Sequence, residues 1–557
     1  MSPRKRSALP RALLRHLPFA LLALTACTPE PPPWFRSCAA ERGLRFQHER
    51  GPTRYWFPEI MGGGVGLLDL DGNGTLDVYL VQSGDLATPS ERNTDRLFTN
   101  DGHAHFTERT AELGSGERGY GMGCAIGDAD EDGDPDVYVT NVGPNALLQN
   151  DGGRLREAAQ AGVADPGWGT SACWADFDAD GDLDLYVANY VCWSREREME
   201  CRSNQGERDY CSPMNYDAPA RDVLYRNEGG LHFSDVSERA GLGAAFGNGL
   251  GVVAADLDDD GWIDFFVAND QMPNQLWHNE GDGTFTDRAL LAGCAVNKGG
   301  TAEAGMGVVA ADLEDDGDLD LFVTHLRNET NVGFVNQKRF FQDETASLGL
   351  GAPSLPFTGF GAGIHDFDLD GRLDVFVANG AVTRNLVPFD PADPYAEPNQ
   401  LYRGTRASDG RVRFEEVLPR GGSAEAQLGN SRGAAFGDLD EDGDVDVIVV
   451  NNGGAVELLL NQAARHHWIG LDLRERSGRA AEGARVRLEC GDLVLERLVT
   501  SGGSYCASSD PRLRCGLGER AEPVRVTVRW VDRATETFGP LEADKGHRLR
   551  RGEGTGH

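Results

Sequence analysis

Seven short segments place carboxylates on alternate residues around a glycine, a pattern suited to holding a hard cation. Counted from the first aspartate, positions 1, 3, 5 and 9 are Asp69, Asp71, Asn73 and Asp77 in the first copy and Asp128, Asp130, Asp132 and Asp136 in the second. The third and fourth copies carry Asp176, Asp178, Asp180 and Asp184, then Asp256, Asp258, Asp260 and Asp264. The last three carry Asp312, Glu314, Asp316 and Asp320, then Asp366, Asp368, Asp370 and Asp374, and finally Asp438, Asp440, Asp442 and Asp446. Glycine stands at position 6 in all of them. Oxygens at this spacing suit calcium, which takes six to eight oxygen ligands, and up to seven Ca²⁺ ions are expected. Magnesium fits less well, because it prefers a rigid octahedral shell that retains waters. A backbone carbonyl from position 7 explains why Thr75, Trp262 and Arg372 can all stand there. The spacing resembles the first half of an EF-hand loop, but Leu80, Val139 and Val187 replace the glutamate of position 12. Glu314 makes the fifth copy the most divergent.

The copies start 48 to 80 residues apart, the period of one supersecondary unit with insertions. Each follows a glycine-rich apolar run such as Gly249–Ala255 and precedes a strand-like run such as Asp264–Asn269. Further on, pairs such as Leu276–Asn279 with Gly283–Asp287 supply a third and a fourth strand. The expected fold is all-β, a seven-bladed β-propeller over residues 41–463, with an insertion at 190–222. The seventh unit lacks a final strand, and Leu44–Glu49 is expected to complete it and so remove an exposed edge.

The N-terminus reads as an address. Arg4, Lys5, Arg6, Arg11 and Arg15 precede an apolar run, Leu17–Leu24, too short to span a bilayer. The run ends in Leu24-Thr25-Ala26-Cys27, which resembles a bacterial lipobox, so residues 1–26 are expected to be a signal and Cys27 the lipidated anchor. Residues 27–40 then form a proline-rich tether. Ten further cysteines fit an exported, disulfide-permissive chain. Cys192, Cys201 and Cys211 crowd the insertion without the spacing of a zinc site, and Cys201–Cys211 is the favoured local bridge.

The repeat resembles the FG-GAP or VCBS-like repeat of integrin α-subunit propellers, with Phe360–Gly363 and Phe436-Gly437-Asp438 as its namesake turn. Over roughly residues 44–545 the chain is similar to the cartilage acidic protein 1-like (ASPIC/UnbV) family. The C-terminal resemblance is carried by Gly483–Val486, Ser501–Tyr505, Ser508–Leu513, Gly516–Gly518 and Val526–Trp530. It implies an extracellular calcium-binding protein and supplies no catalytic residue. Cys506 and Cys515 stand where that pattern implies apolar residues, which suggests a bond between them. Residues 464–548 alternate with period two and are expected to form a small β-sandwich, followed by a tail at 549–557.

With 89 acidic and 53 basic residues the chain carries −36, which excludes a nucleic-acid binder that neutralises phosphates. No nucleophile elbow, zincin helix or Walker loop occurs. The insertion sets Trp193, Tyr210 and Tyr216 beside Arg195, Arg197, Arg202 and Arg208, and reads equally as a ligand surface or an ordered cap. The leading expectation is a surface-anchored calcium-dependent binding or adhesion module for extracellular protein or carbohydrate, touching membrane only through the anchor. The alternatives are a calcium-dependent enzyme on polysaccharide or a secondary metabolite, and a structural envelope protein.

Overall fold

A computed structural model describes residues 32–90, 93–463 and 466–556. The expected signal, Cys27 and the first part of the tether lie outside the described residues. Residues 33–557 form one compact unit.

Seven antiparallel sheets repeat one plan. In the second sheet, Gly121–Gly127, Asp136–Asn141, Ala146–Asn150 and Leu155–Glu157 lie in chain order, and the acidic loop joins the first two strands. The fourth sheet repeats this with Gly249–Ala255, Asp264–Asn269, Gln275–Asn279 and Phe285–Asp287. All four strands are short, and the first two, the inner pair, are wholly buried, which their apolar and glycine-rich composition permits.

The sheets pack face to face in a closed cycle. Tyr79 and Leu97 of the first meet Ile126 and Val137 of the second in one apolar cluster. Equivalent clusters join each later sheet to the next. The seventh returns to the first through Ile448, Val450 and Leu458 against Val65, Leu67 and Phe98. The inner strands nearly touch: a Cβ on Gly433 would lie 2.5 Å from the Gly63 carbonyl oxygen, and one on Gly307 2.3 Å from that of Phe360. Only glycine permits that approach.

The closing strand is not the one expected. Phe35–Ser37, inside the assigned tether, pairs antiparallel with Glu457–Asn461 and completes the seventh sheet. Phe35 is buried and sets its ring edge-on to Phe367 and Phe376, an anchor that the Leu44–Glu49 segment does not provide. Leu44 and Phe46 instead fill the seam between the seventh and first sheets.

The C-terminal region builds two further sheets on a shared core. One orders Leu513–Gly518, His467–Arg474 and Lys545–Arg550; the other orders Leu493–Leu498, Arg485–Cys490, Val524–Arg529, Thr535–Leu541 and Thr555–Gly556. His467–Arg474 pairs parallel with Lys545–Arg550, and Thr555–Gly556 adds to the second sheet, so the assigned tail belongs to the module.

Candidate metal centres and their cover

The repeated loop has one backbone solution. The position-6 glycines all take positive φ, from 89° in Gly261 to 107° in Gly181, and position 4 is left-handed too, with Glu131, Ala179, Asp259, Asp315, Leu369 and Glu441 at φ 57–59°. This turn aims the backbone inward. The N–H of every position-6 glycine donates to Oδ2 of the first aspartate at 2.8–3.1 Å. Both oxygens of the ninth-position aspartate are also spent on backbone donors, as Asp136 accepts from Asn150 at 2.7 Å and from Ala129 at 2.9 Å.

What remains faces the loop interior. Oδ1 of Asp69, Asp176, Asp256 and Asp366 at position 1, and of Asp130 and Asp178 at position 3, are buried without a hydrogen-bond partner. A buried unpaired carboxylate oxygen is costly, and a bound cation would satisfy it. In four copies one oxygen from each of positions 1, 3 and 9 gathers within 4.8 Å: Asp128, Asp130 and Asp136; Asp176, Asp178 and Asp184; Asp366, Asp368 and Asp374; Asp438, Asp440 and Asp446. The position-5 groups Asp132, Asp180, Asp370 and Asp442 stand outside these trios. Among the described residues, Asp69, Asp71, Asn73 and Asp77 form no such trio, nor do Asp312, Glu314, Asp316 and Asp320. The fourth copy joins Asp258 and Asp260 to His278 instead.

Burial away from water raises the carboxyl pKa values. Asp128 and Asp176 rise to about 7, and Asp136, Asp320 and Asp366 to about 8, with neighbouring carboxylates adding to the effect.

Two kinds of functional group escaped the sequence reading. The residue before the third-strand asparagine or its equivalent faces the loop in several sheets: Gln149 donates to Asp130 at 2.7 Å, His278 approaches three carboxylates, and Arg403 pairs with Asp368 at 2.7 Å. Alignment of the third strands in the repeat would have exposed this position. The second group is the cover. Arg529 reaches Asp256 and Arg514 reaches Asp438, each at 3.0 Å, Arg479 lies 3.8 Å from Asp176, and Arg512 donates to the Gly74 carbonyl at 2.8 Å. The C-terminal module therefore sits on the loop face.

It also enters the centre of the ring. Ser504 Oγ donates to the Ala434 carbonyl and accepts from Ala362, and Ser171 Oγ accepts from the Cys506 N–H. Ala507–Ser508 pairs parallel with Val65–Leu68 of the first sheet. Tyr505, fully buried, donates to the Met61 carbonyl at 2.9 Å and packs on Phe360. This placement corrects the expected Cys506–Cys515 bond. Both thiols are free, because Cys506 lies among the central side chains and Cys515 in the core of the C-terminal module.

The insertion closes the same central cluster. Its expected bridge, Cys201–Cys211, is present. Tyr190 and Tyr210 are buried with Phe57, Trp168, Met306 and Tyr505, and Trp193 and Tyr216 both donate to Glu198. The cap reading holds for these aromatics. Arg197, Arg202 and Arg208 remain exposed, and Arg54 and Arg195 lie over the half-buried Trp56 ring at 4.9 and 5.5 Å.

The FG-GAP-like repeat model matches residues 69–139, 128–187, 256–323 and 366–449, and the ASPIC and UnbV model matches residues 474–556. Cartilage acidic protein 1 of Mus musculus is 30% identical over 314 residues, covering 55% of this chain and 45% of that protein. The Homo sapiens protein is also 30% identical, over 55% of this chain and 44% of its own length. The chain thus spans less than half of the curated relatives it matches. Among solved structures, an Agrocybe aegerita lectin recognising non-reducing terminal N-acetylglucosamine aligns at TM-score 0.37 and 16% identity, over 71% of this chain and 90% of that one. A Bacillus licheniformis rhamnogalacturonan lyase aligns at TM-score 0.38 and 13% identity, over 78% and 76% of the two chains.

Proposed function

We propose, from the premise that the chain is a homologue of cartilage acidic protein 1 with FG-GAP-like repeats and an ASPIC and UnbV module, that it is an extracellular calcium-dependent binding module. In this reading the seven sheets are the blades of a β-propeller, and the two C-terminal sheets form a small sandwich. The acidic loops whose donors are all oxygens hold calcium, and Cys27 anchors the exported chain to a bacterial surface. The partner is an extracellular protein or carbohydrate, retained without turnover.

The observation that supports this most is how the two ends of the ring are used. The loop face is covered by Arg479, Arg512, Arg514 and Arg529, and the centre is filled by Tyr505 from one side and Tyr190 and Tyr210 from the other. The insertion side is left to meet a partner, with Trp56 and Arg195 at its surface while Arg54 is held by Asp85 at 2.8 Å, and stacked arginine and tryptophan suit sugar or peptide. Calcium then acts at a distance from the partner, by neutralising the buried carboxylates so that the scaffold stays rigid. Export agrees with the Cys201–Cys211 bridge.

The test is retention of purified residues 28–557 on intact cells and on an envelope-glycan panel, in calcium and after chelation. Saturable, calcium-dependent retention that Trp56→Ala weakens is expected. Absence of retention in both conditions, or turnover of a retained glycan, would refute the reading.

A further inference from the structure

The fourth loop differs from the others in one donor. Where the second sheet has Gln149 and the sixth has Arg403, the fourth has His278, whose side chain is 8% exposed. Its Nε2 lies 3.8 Å from Asp260 Oδ2, and its Nδ1 lies 3.7 Å from Asp258 Oδ2 and 3.3 Å from Asp264 Oδ1. One ring nitrogen and one carboxylate oxygen each from Asp258 and Asp260 gather within 4.8 Å of one another. In the same loop Asp256 is 6% exposed and keeps its Oδ1 buried without a hydrogen-bond partner.

This donor set selects a different ion. Calcium takes oxygen ligands, whereas imidazole suits zinc and its first-row neighbours. Two ligands about 2.1 Å from a tetrahedral ion stand roughly 3.4 Å apart, close to the spacing of His278 Nε2 and Asp260 Oδ2. The other ring nitrogen faces Asp264 at 3.3 Å and, further off, Asp258 at 3.7 Å, and Asp264 is a carboxylate fixed by the Asn279 N–H at 2.8 Å and the Leu257 N–H at 3.4 Å. A ligating histidine is commonly oriented in this way, by a carboxylate on its second nitrogen. The four trios of the second, third, sixth and seventh loops contain no nitrogen donor.

We infer that the fourth loop is a mixed imidazole–carboxylate site for a first-row transition-metal dication such as zinc, held by His278, Asp258 and Asp260. Asp264 orients the ring, and Asp256, paired with Arg529 at 3.0 Å, stands outside the trio. The site does not depend on calcium in the other loops.

The experiment uses the full chain, stripped with chelator and then dialysed against zinc in a large excess of calcium. Metal content is read by elemental mass spectrometry and the zinc environment by X-ray absorption. His278→Gln is the informative variant, because glutamine already occupies the equivalent place as Gln149 and is compatible with the fold. The wild-type chain is expected to retain a zinc equivalent with a nitrogen neighbour, and His278→Gln to lose it while keeping its calcium content and its thermal midpoint in calcium. His467→Asn, altering the histidine beside Asp544, is expected to leave the zinc in place. Zinc fully displaced by calcium, or retained equally by wild type and His278→Gln, would overturn the assignment. So would zinc that His467→Asn removes.

Discussion

Asn100, in the first sheet, donates its side-chain N–H to the carbonyl of Leu439 in the seventh at 2.8 Å, joining the two ends of the repeat. The same bond links neighbouring sheets from Asn150 to Leu70, Asn227 to Ala129, Asn279 to Phe177, Asn336 to Leu257 and Asn461 to Phe367. Each of these asparagines also caps a carbonyl of its own loop, as Asn100 does with Leu76 at 3.0 Å. In the sixth sheet glycine replaces it, and a Cβ on Gly404 would lie 2.1 Å from the Leu373 carbonyl oxygen. Truncating one of these staples leaves two buried carbonyls short of a donor. Asn100→Ala is expected to lower stability by about 1–3 kcal/mol. Thr99→Ala, at a half-buried neighbour on the same strand, should cost far less, and urea unfolding of both variants in calcium checks the difference.

The closing strand makes a second prediction. A chain starting at Ala39 lacks Phe35–Ser37 and so exposes the edge of Glu457–Asn461 along with the pocket filled by Phe35. Such an edge is an aggregation template. Loss of the phenylalanine alone is expected to cost about 3–5 kcal/mol. Phe35→Ala should therefore unfold at markedly lower denaturant than wild type, whereas Arg36→Ala, on an exposed side chain, should not.

The buried carboxylates give the metal-free protein an inverted pH dependence. Asp136, Asp320 and Asp366 hold their protons to about pH 8 in the folded chain, against about 4 for an unfolded aspartate. Across that window the folded state binds more protons than the unfolded one, so stability is greatest below it and falls as pH rises. In chelator the thermal midpoint should drop between about pH 5 and about pH 8. Calcium competes for the same oxygens, so its stabilisation should grow over the same range, and a midpoint in chelator that rose with pH would contradict this picture.

The repeat was legible in the sequence because its signal is chemical. Aspartates at fixed spacing around Gly74, Gly133 or Gly181 serve one turn, and that turn fixes the strands on either side. The Cys201–Cys211 bridge was legible from crowding alone. The closing strand was not, because Phe35–Ser37 is three residues long beside prolines and draws its stability from Phe367 and Phe376, far along the chain. His278 and Arg403 were hidden for a related reason. A residue facing a loop from the third strand shows its role only when the strands are laid side by side. The pairing proposed for Cys506 failed because family position says nothing about which thiol enters the ring.

Tyr505 tests whether the C-terminal module and the ring are one cooperative unit. Its hydroxyl bonds to the Met61 carbonyl, its ring meets Phe360 at 4.8 Å, and Ser504 beside it is tied to Ala362 and Ala434. Tyr505→Phe removes only the hydroxyl and is expected to cost about 1–2 kcal/mol, since it leaves the Met61 carbonyl unpaired. Tyr505→Ala opens a cavity at the centre and is expected to cost about 3–5 kcal/mol. Because the same segment carries the module into the ring, the alanine variant should also become sensitive to protease between Asn461 and His467, where the ring passes into the module. Stability lost without new cleavage there would mean that the arginine contacts at Asp256 and Asp438 hold the module by themselves.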